Sequence, residues 1–430
     1  MTTRVRSLLS FLTALATMFL VNCGGSYSCQ ISFGGSCAPS GSGLGSSGGT
    51  GGTGGGGGGG GSAPTAFAYD IVQAGTVNGI AFSSTGSTLV NISGFTPPTV
   101  PTSDPSSELV IAQKQFLYGI FPVSQSLYAW SIDPTTGDLT ALANSPFTIA
   151  SLGGMILNDT TANLTGVAVN PAGTFLFVAD AGNGEILTYQ IDTTGALTAG
   201  STISTVGAVQ PWNLAVDGLG KYLYVTSGIE GNGQHVAAYA INQGTGALTL
   251  VAAALPFNIW ELQGEPTGAF MIGISGNSPV LTGVTDNTIH VFAIAPSGPN
   301  AGTLAEVSGS PFPTVNSPAN IAVQPNSKNG SFVYSFSVNT LGYNAIEGYT
   351  LNISSGALTA ITGSPFTGIT PSPWGQFDQS GDFLFIYSNV ADAAPELGVV
   401  NFTSGTGVLT ESATTLALPS GGYFAVTDPQ

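Results

Sequence analysis

Leu164-Thr-Gly-Val-Ala-Val-Asn-Pro-Ala-Gly-Thr-Phe-Leu-Phe-Val-Ala-Asp180 is followed by Glu185-Ile-Leu-Thr-Tyr-Gln-Ile-Asp192 and then by Thr193-Thr-Gly-Ala-Leu-Thr198. Short β-branched and aromatic runs bounded by Pro-Ala-Gly and Thr-Thr-Gly turns are the signal of strands joined by hairpins. Four strands, a to d, fit this stretch. Apolar residues show no general helical spacing, and Pro in nearly every a–b turn excludes a strand–helix–strand reading. The closing piece, a Gly followed two or three residues later by Leu, recurs at Gly86, Gly137, Gly195, Gly246, Gly302, Gly356 and Gly407, with spacings of 51, 58, 51, 56, 54 and 51. A period near 50 with four strands per unit is a sheet repeated around an axis, which is a β-propeller.

The expected fold is therefore all-β, a seven-bladed β-propeller of four-stranded blades over residues 66–430. Strand a is expected around Glu108-Leu-Val-Ile111, Gly166-Val-Ala-Val169, Asn213-Leu-Ala-Val216, Gly268-Ala-Phe-Met271, Asn320-Ile-Ala-Val323, Gly375-Gln-Phe377 and Tyr423-Phe-Ala-Val426. The last of these has no b, c or d after it. The first unit has the opposite defect, since Ala66 to Gln73, Val77 to Ser83 and Thr88 to Phe95 supply b, c and d without an a. The C-terminal strand is expected to join the N-terminal blade as its innermost strand, closing the ring and covering edges that would otherwise template aggregation. A second marker, Ser145-Pro-Phe147, Pro256-Phe257, Ser310-Pro-Phe312 and Ser364-Pro-Phe366, ends strand d. Pro cannot donate to a ladder and belongs at such an end, leaving the Phe to fill the seam with the next blade.

Composition limits the partners. The 430 residues include 62 Gly and 26 Pro, and the charged fraction is 6%, against roughly 25% in an ordinary globular protein. Hydrophobic residues make up 42%, enough to build a core, so low charge here does not mean disorder. Twenty-two acids against five bases give a formal charge of −17. No cationic surface is available to neutralise phosphates, which excludes nucleic acid and disfavours anionic lipid surfaces.

The N-terminus reads as an address. Arg4 and Arg6 precede an apolar run from Ser7 to Val21, shorter than the roughly 20 residues of a membrane span and of the right length for a signal peptide over residues 1–22. Leu20-Val21-Asn22-Cys23 resembles the lipobox of bacterial lipoproteins, departing from it at Asn22. That resemblance implies lipidation at Cys23; cleavage by an ordinary signal peptidase is the alternative. Gly24 is not the Asp of an inner-membrane retention signal, so the expected location is the cell envelope, as an outer-membrane lipoprotein facing the periplasm or the cell surface. Cys29 and Cys37 then remain as an even pair in an oxidising compartment, either joined in a small disulfide loop or left as two thiols. Residues 40–62 are nearly all Gly, Ser and Thr, with eight consecutive glycines at Gly54 to Gly61; such a stretch is a flexible coil. Residues 23–65 thus form a lipidated N-terminus and tether.

The repeated unit, Val-Ala-Val-Asn-Pro-Ala-Gly-Thr-Phe-Leu-Phe-Val-Ala-Asp with Thr-Gly-Ala-Leu-Thr and Ser-Pro-Phe, resembles the seven-bladed lactonase and YVTN-type propellers, a group that includes 6-phosphogluconolactonase-like enzymes. The resemblance covers about residues 66–430. It implies the fold, and it implies an active site near the central channel built from His, Arg and Glu. The matching residues are turns and packing positions, so no catalytic residue carries over.

The polar residues add little catalytic machinery. Arg is absent after Arg6, which argues against tight recognition of a phosphorylated sugar. Lys114, Lys221 and Lys328 fall at or near strand-a turns, where exposed charges are common. His235 and His290 both fall on strand c, away from the channel, and are read as structural or surface residues. The better-placed set lies just past strand a: Asn170, Asp217, Gln324, Asp378 and Thr427 would ring one mouth of the channel and could hold a sugar or a hydrated cation. Asn-Pro-Ala-Gly and Asp-Gln-Ser-Gly are also ordinary turns in which Asn and Asp bond their own backbone. No phosphate loop, nucleophile elbow, zinc-ligand spacing or paired catalytic group is present, and no cofactor or metal is expected. The reading that follows is a lipid-anchored, non-catalytic binding or scaffold module whose partners are the membrane through its anchor and a glycan, small-molecule lactone or protein ligand. The alternative, resting on the resemblance, is a lactonase acting on a sugar lactone at the channel.

Overall fold

The computed structural model describes residues 64–427 except 73–74, 86, 97, 101–107, 123, 149–163, 206–210, 228–235, 256–258, 276–286, 327–330, 338–345, 368, 370–373, 389–394, 411–414 and 419–421. The signal, Cys23, Cys29, Cys37, the tether, His235 and Lys328 lie outside the described residues. Among the described residues no helix forms, and every strand pair is antiparallel.

Seven sheets with four principal strands each make a seven-bladed propeller. Blade 3 shows the unit most plainly: Leu164–Val169, Phe175–Asp180, Glu185–Ile191 and Leu197–Ser204 are strands a to d. Blade 1 is built from both ends of the chain. Gly422–Thr427 pairs with Ala66–Val72 as its inner strand, with Phe67 opposite Thr427 and Tyr69 opposite Ala425, so closure is as the strand count predicts. Neighbouring inner strands touch one another all the way round the ring.

One expected boundary is corrected. Blade 5 opens with Glu261–Gly264, and Phe270–Ile274 is its second strand, so Gly268 and Ala269 belong to the a–b turn rather than to strand a. The apolar run after Gly268 drew the assignment because the true inner strand, Glu-Leu-Gln-Gly, carries two long polar residues and no β-branched one.

The core is divided among the seams. Each of seven apolar clusters draws side chains from two neighbouring blades, for example Phe116 and Tyr118 of blade 2 with Val178 and Tyr189 of blade 3. The recurring Gly explains how the blades lock. From Gly137 to Gly407 it occupies the c–d turn with positive φ, 79° at Gly195 and 87° at Gly302, and its α-carbon lies against the aromatic ring at the start of strand b of the preceding blade. A methyl group at Gly195 would come within 2.4 Å of Phe116, and one at Gly302 within 2.3 Å of Tyr222. Two residues beyond that ring, a buried Tyr donates its hydroxyl to the carbonyl of the same Gly: Tyr69 to Gly137, Tyr118 to Gly195 and Tyr334 to Gly407 at 2.7 Å, and Tyr224 to Gly302 at 2.9 Å.

The Ser-Pro-Phe marker has an equally definite role. Strand d breaks away from strand c at this point, and the Ser hydroxyl accepts the N–H that strand c would otherwise leave unpaired: Ala129 to Ser145 at 2.9 Å, Val291 to Ser310 and Gly348 to Ser364 at 3.0 Å. Phe147 and Phe366 then enter the seams between blades 2 and 3 and between blades 6 and 7, and Phe312 packs against the cluster between blades 5 and 6. Phe257 lies outside the described residues.

Two outcomes test the locking. Tyr118→Phe, which removes one hydrogen bond and leaves a buried carbonyl, is expected to cost about 1 kcal/mol, and Gly195→Ala, which collides with Phe116 at positive φ, about 2–3 kcal/mol, both read from denaturant unfolding. Deleting residues 422–430 is expected to turn a single calorimetric transition into a broad or multi-step melt; a sharp melt at the original temperature would contradict closure by this strand.

Candidate functional site

The five residues proposed for a channel mouth are all buried; Asn170, Asp217, Gln324 and Asp378 sit where strand a gives way to the a–b turn, and Thr427 ends the closing strand. Asn170 Oδ1 accepts the N–H groups of Thr174 and Phe175 at 2.8 Å each. Asp217 accepts those of Lys221 and Tyr222 on one oxygen, 2.6 Å each, and that of Leu219 on the other at 3.1 Å. Asp378 accepts from Phe383 N at 2.8 Å and from the Ser380 hydroxyl. Gln324 donates to the carbonyl of Gly381 at 3.0 Å, and Thr427 to that of Lys114 at 3.4 Å. Glu265 completes the pattern in blade 5, taking Thr267, Ala269 and Phe270 N–H groups at 2.8, 2.6 and 3.1 Å. Sequence reading passed over Glu265 because the strand boundary there was displaced. The polar atoms of these residues are largely engaged by their own and neighbouring turns, as Asn and Asp side chains do in tight turns.

The other end of the inner strands carries a different set. An innermost strand has a free edge facing the channel, and its N–H groups there have no strand partner. Side chains from the preceding blade supply acceptors. Val167 N donates to Glu108 Oε2 at 2.8 Å, Leu262 N to Asn213 Oδ1 at 3.3 Å and Gly375 N to Asn320 Oδ1 at 3.1 Å. Gln263 takes Val323 N at 3.0 Å and gives its amide to the Ile321 carbonyl at 2.7 Å. Glu261 accepts from Asn320 Nδ2 at 3.1 Å and from Gln263 Nε2 at 3.1 Å. A belt of carboxyl and amide groups therefore stitches blades 2 to 3 and 4 through 7 along the channel wall. Trp212 and Trp260 stand at the same end, with ring centres 6.2 Å apart, and Trp374 opens the inner strand of blade 7.

Two members of this belt ionise reluctantly. Enclosure in the wall pushes Glu108 and Glu261 up to about 8, against the pull of hydrogen bonds from Val167 to the first and from Gln263, Ile321 and Asn320 to the second. A charge on Glu108, on blade 2, adds a minor upward push to Glu261, on blade 5. Carboxyls shifted by burial in the wall of a channel are the kind of group from which binding and acid–base sites are built. The sequence held a signal for them: Asn213-Leu214, Glu261-Leu262 and Asn320-Ile321 put a polar residue before the same apolar position of successive inner strands.

The remaining ionisable residues stand apart. His290 on strand c of blade 5 pairs through Nδ1 with Glu306 at 2.7 Å, meets the Thr288 hydroxyl through Nε2 at 3.1 Å and stacks on Phe292. This is the structural setting expected of it. Lys114 and Lys221 lie in the a–b turns of blades 2 and 4, Lys114 with φ of 59° and Lys221 exposed. Among the described residues no group of three or more His, Cys, Asp and Glu is placed to hold a metal ion.

Comparison with known proteins agrees with the architecture. The family model described as Lactonase, 7-bladed beta-propeller matches residues 96–258. Among curated proteins none matches this chain. Among solved structures, a candidate 6-phosphogluconolactonase from Bacteroides uniformis superposes with a TM-score of 0.61 at 17% identity, over 85% of this chain and 100% of that one. A second from Bacteroides fragilis gives 0.60 at 17%, over 85% and 98%. A periplasmic gluconolactonase from Pseudomonas aeruginosa gives 0.57 at 14%, over 86% and 100%. At these identities the likeness to the solved structures is one of fold.

The belt carboxyls give the stability a definite pH dependence. A carboxyl whose folded-state pKa lies above its unfolded value binds its proton more tightly when folded, so its contribution is complete below the unfolded pKa, near 4.5, and is lost as pH rises toward 8. The melting temperature is expected to fall between pH 5 and pH 8, and the double variant Glu108→Gln, Glu261→Gln to flatten that fall. An unchanged fall in the double variant would show that these groups do not take up protons in the fold over this range.

Proposed function

We propose, for a seven-bladed propeller whose residues 96–258 match the lactonase family model, that this chain is a lipid-anchored protein of the bacterial cell envelope whose channel binds an uncharged, hydroxyl-rich ring, a sugar or its lactone, without turning it over. The observation that supports this reading is two buried glutamates, Glu108 and Glu261, in a belt with Asn213, Gln263 and Asn320. Near neutral pH a carboxyl held at about 8 is mostly protonated, so it both donates and accepts, as hydroxyl groups require. Indole rings at the same end offer flat apolar surface to the C–H face of a sugar ring. The described lysines sit in turns, and the last Arg is Arg6, so the belt has no cation to prefer a phosphorylated or carboxylated ligand. The anchor at Cys23 and the tether to residue 62 would hold the ring clear of a membrane surface.

A second reading is favoured by burial having raised both glutamates to about 8, where each is divided between its acid and base forms. When one carries the proton and the other does not, the ionised group can take a proton from water as the water oxygen bonds to the lactone carbonyl carbon. The protonated one can then give its proton to the ring oxygen as the acyl carbon–oxygen bond breaks, yielding the open hydroxy acid. The Pseudomonas relative is described as a gluconolactonase, which makes glucono-lactone the first compound to try.

Calorimetric titration of residues 63–430 with neutral monosaccharides, disaccharides and sugar lactones is expected to find at least one ligand, bound about tenfold more weakly by Glu261→Gln, a loss of about 1.4 kcal/mol. Binding unchanged in Glu108→Gln and Glu261→Gln would remove the channel site. Lactone hydrolysis above the buffer rate, lost in either variant, would replace the binding reading with the hydrolytic one.

A further inference from the structure

We propose that Asp70 makes the seam between the first and last blades a pH-sensitive closure, firm in mild acid and loosened as the medium turns alkaline. Counted from the aromatic residue that opens strand b, the fourth residue is Asp70 in blade 1 and Gly119, Val178, Val225, Gly273, Ser335 and Ile386 in blades 2 to 7. Only the blade assembled from both chain ends has an ionisable group there. Asp70 lies opposite Phe424 of the closing strand and is 1% exposed.

Its bonding is thin for so buried a carboxyl. Oδ2 receives one long hydrogen bond, from Asn78 Nδ2 at 3.4 Å, and Oδ1 has no hydrogen-bond partner. Glu347, buried to a similar degree at 3%, accepts the N–H of Val315, that of Asn316 and the Tyr349 hydroxyl at 3.0, 3.2 and 2.8 Å. The fold thus supplies three donors to the buried carboxyl of Glu347 and a single long one to that of Asp70. At Asp70 it supports a neutral acid. An ionised group left so under-bonded in an apolar seam is strongly disfavoured.

The groups facing Asp70 offer no compensating charge. Asn78 comes from strand c and Phe424 from strand a, both neutral. Tyr387 approaches from blade 7, its ring packed near Phe424 with centres 6.3 Å apart. Burial first, and then the charge of Asp70, push its hydroxyl well above the ordinary range, so it stays neutral. Leu397 and Val399 of blade 7 fill the same cluster as Val426 and Ala68. Burial pushes Asp70 up to about 7. Ionisation places a negative charge in the seam between blade 1 and blade 7, and opening that seam returns the charge to water.

Amide hydrogen exchange of the full chain at pH 5.5 and pH 8, corrected for intrinsic rates, tests this. In the wild type, protection of Gly422–Thr427 and Ala66–Val72 is expected to fall at least tenfold between the two pH values, while Phe175–Asp180 in blade 3 serves as the internal reference and changes less. Asp70→Ser, which installs the residue of blade 6, and Asp70→Asn are both expected to hold the closing strands equally protected at the two pH values. Equal protection in the wild type, a fall that persists in both variants, or a fall of the same size in blade 3 would overturn the proposal.

Discussion

The contact on which the ring depends is a glycine α-carbon pressed against an aromatic ring of the blade before it. At Gly195 and Gly302 the approach leaves no room for a β-carbon, and the positive φ of the turn disfavours one in any case. The close approach brings the glycine carbonyl within reach of a buried tyrosine, a bond worth about 1 kcal/mol. Burying the aromatic rings themselves contributes more, about 1.5–3 kcal/mol each. Apolar burial therefore supplies most of the stabilisation and the Tyr–Gly bond supplies direction. At four seams it fixes how far one blade is rotated against the next, and the glycine–ring contact, repeated at six, is what returns the last strand to the first.

Radial stacking has a cost at the axis. Seven inner strands each expose an edge to the channel, and an unpaired edge is an invitation to another strand. Here the preceding blade caps several of those edges with Glu108, Asn213, Gln263 and Asn320. Architecture and site chemistry thus draw on the same residues. A glutamate used as a cap must sit inside the wall, where its charge is costly, and that placement is what lifts its pKa toward neutrality. The polar belt follows from closing a sheet on itself around a narrow axis, and any ligand-binding capacity is built on it.

Much of the fold was legible because its signals are local and repeated. Gly-x-Leu-Thr, Asn-Pro-Ala-Gly and Ser-Pro-Phe each report a turn or a seam, and the lone C-terminal strand against a first unit lacking one gave the closure. The channel belt was harder to see. Its residues are chosen by the neighbouring blade's backbone rather than by their own strand, so no pattern within one unit marks them. Glu261 illustrates this: Glu-Leu-Gln-Gly reads poorly as a strand until Ile321 and Asn320 of the next blade are placed beside it. The turn residues Asn170, Asp217 and Asp378 drew attention because their spacing is regular, and regular spacing in a repeat protein reports first on the turn itself.

A chain with few charges concentrates its pH response in the acids it buries. In a protein of ordinary composition, many surface carboxylates with small shifts blur the titration of any one group. Here Asp133 and Asp192, exposed and held low by N–H and hydroxyl groups of their own turns, gain support as pH rises past their pKa, while Glu108, Glu261 and Asp70 lose it at higher pH. The first pair acts below the range in which the second set begins to titrate. Stability is therefore expected to be greatest in mild acid, with the channel wall and the closing seam the first regions to feel alkali. These two places differ in kind. Glu108 and Glu261 keep hydrogen bonds when ionised and face the channel, so charge there can be met by a ligand or by water. Asp70 is enclosed in the seam where the blade built from both chain ends meets blade 7, and its charge is relieved by opening that seam.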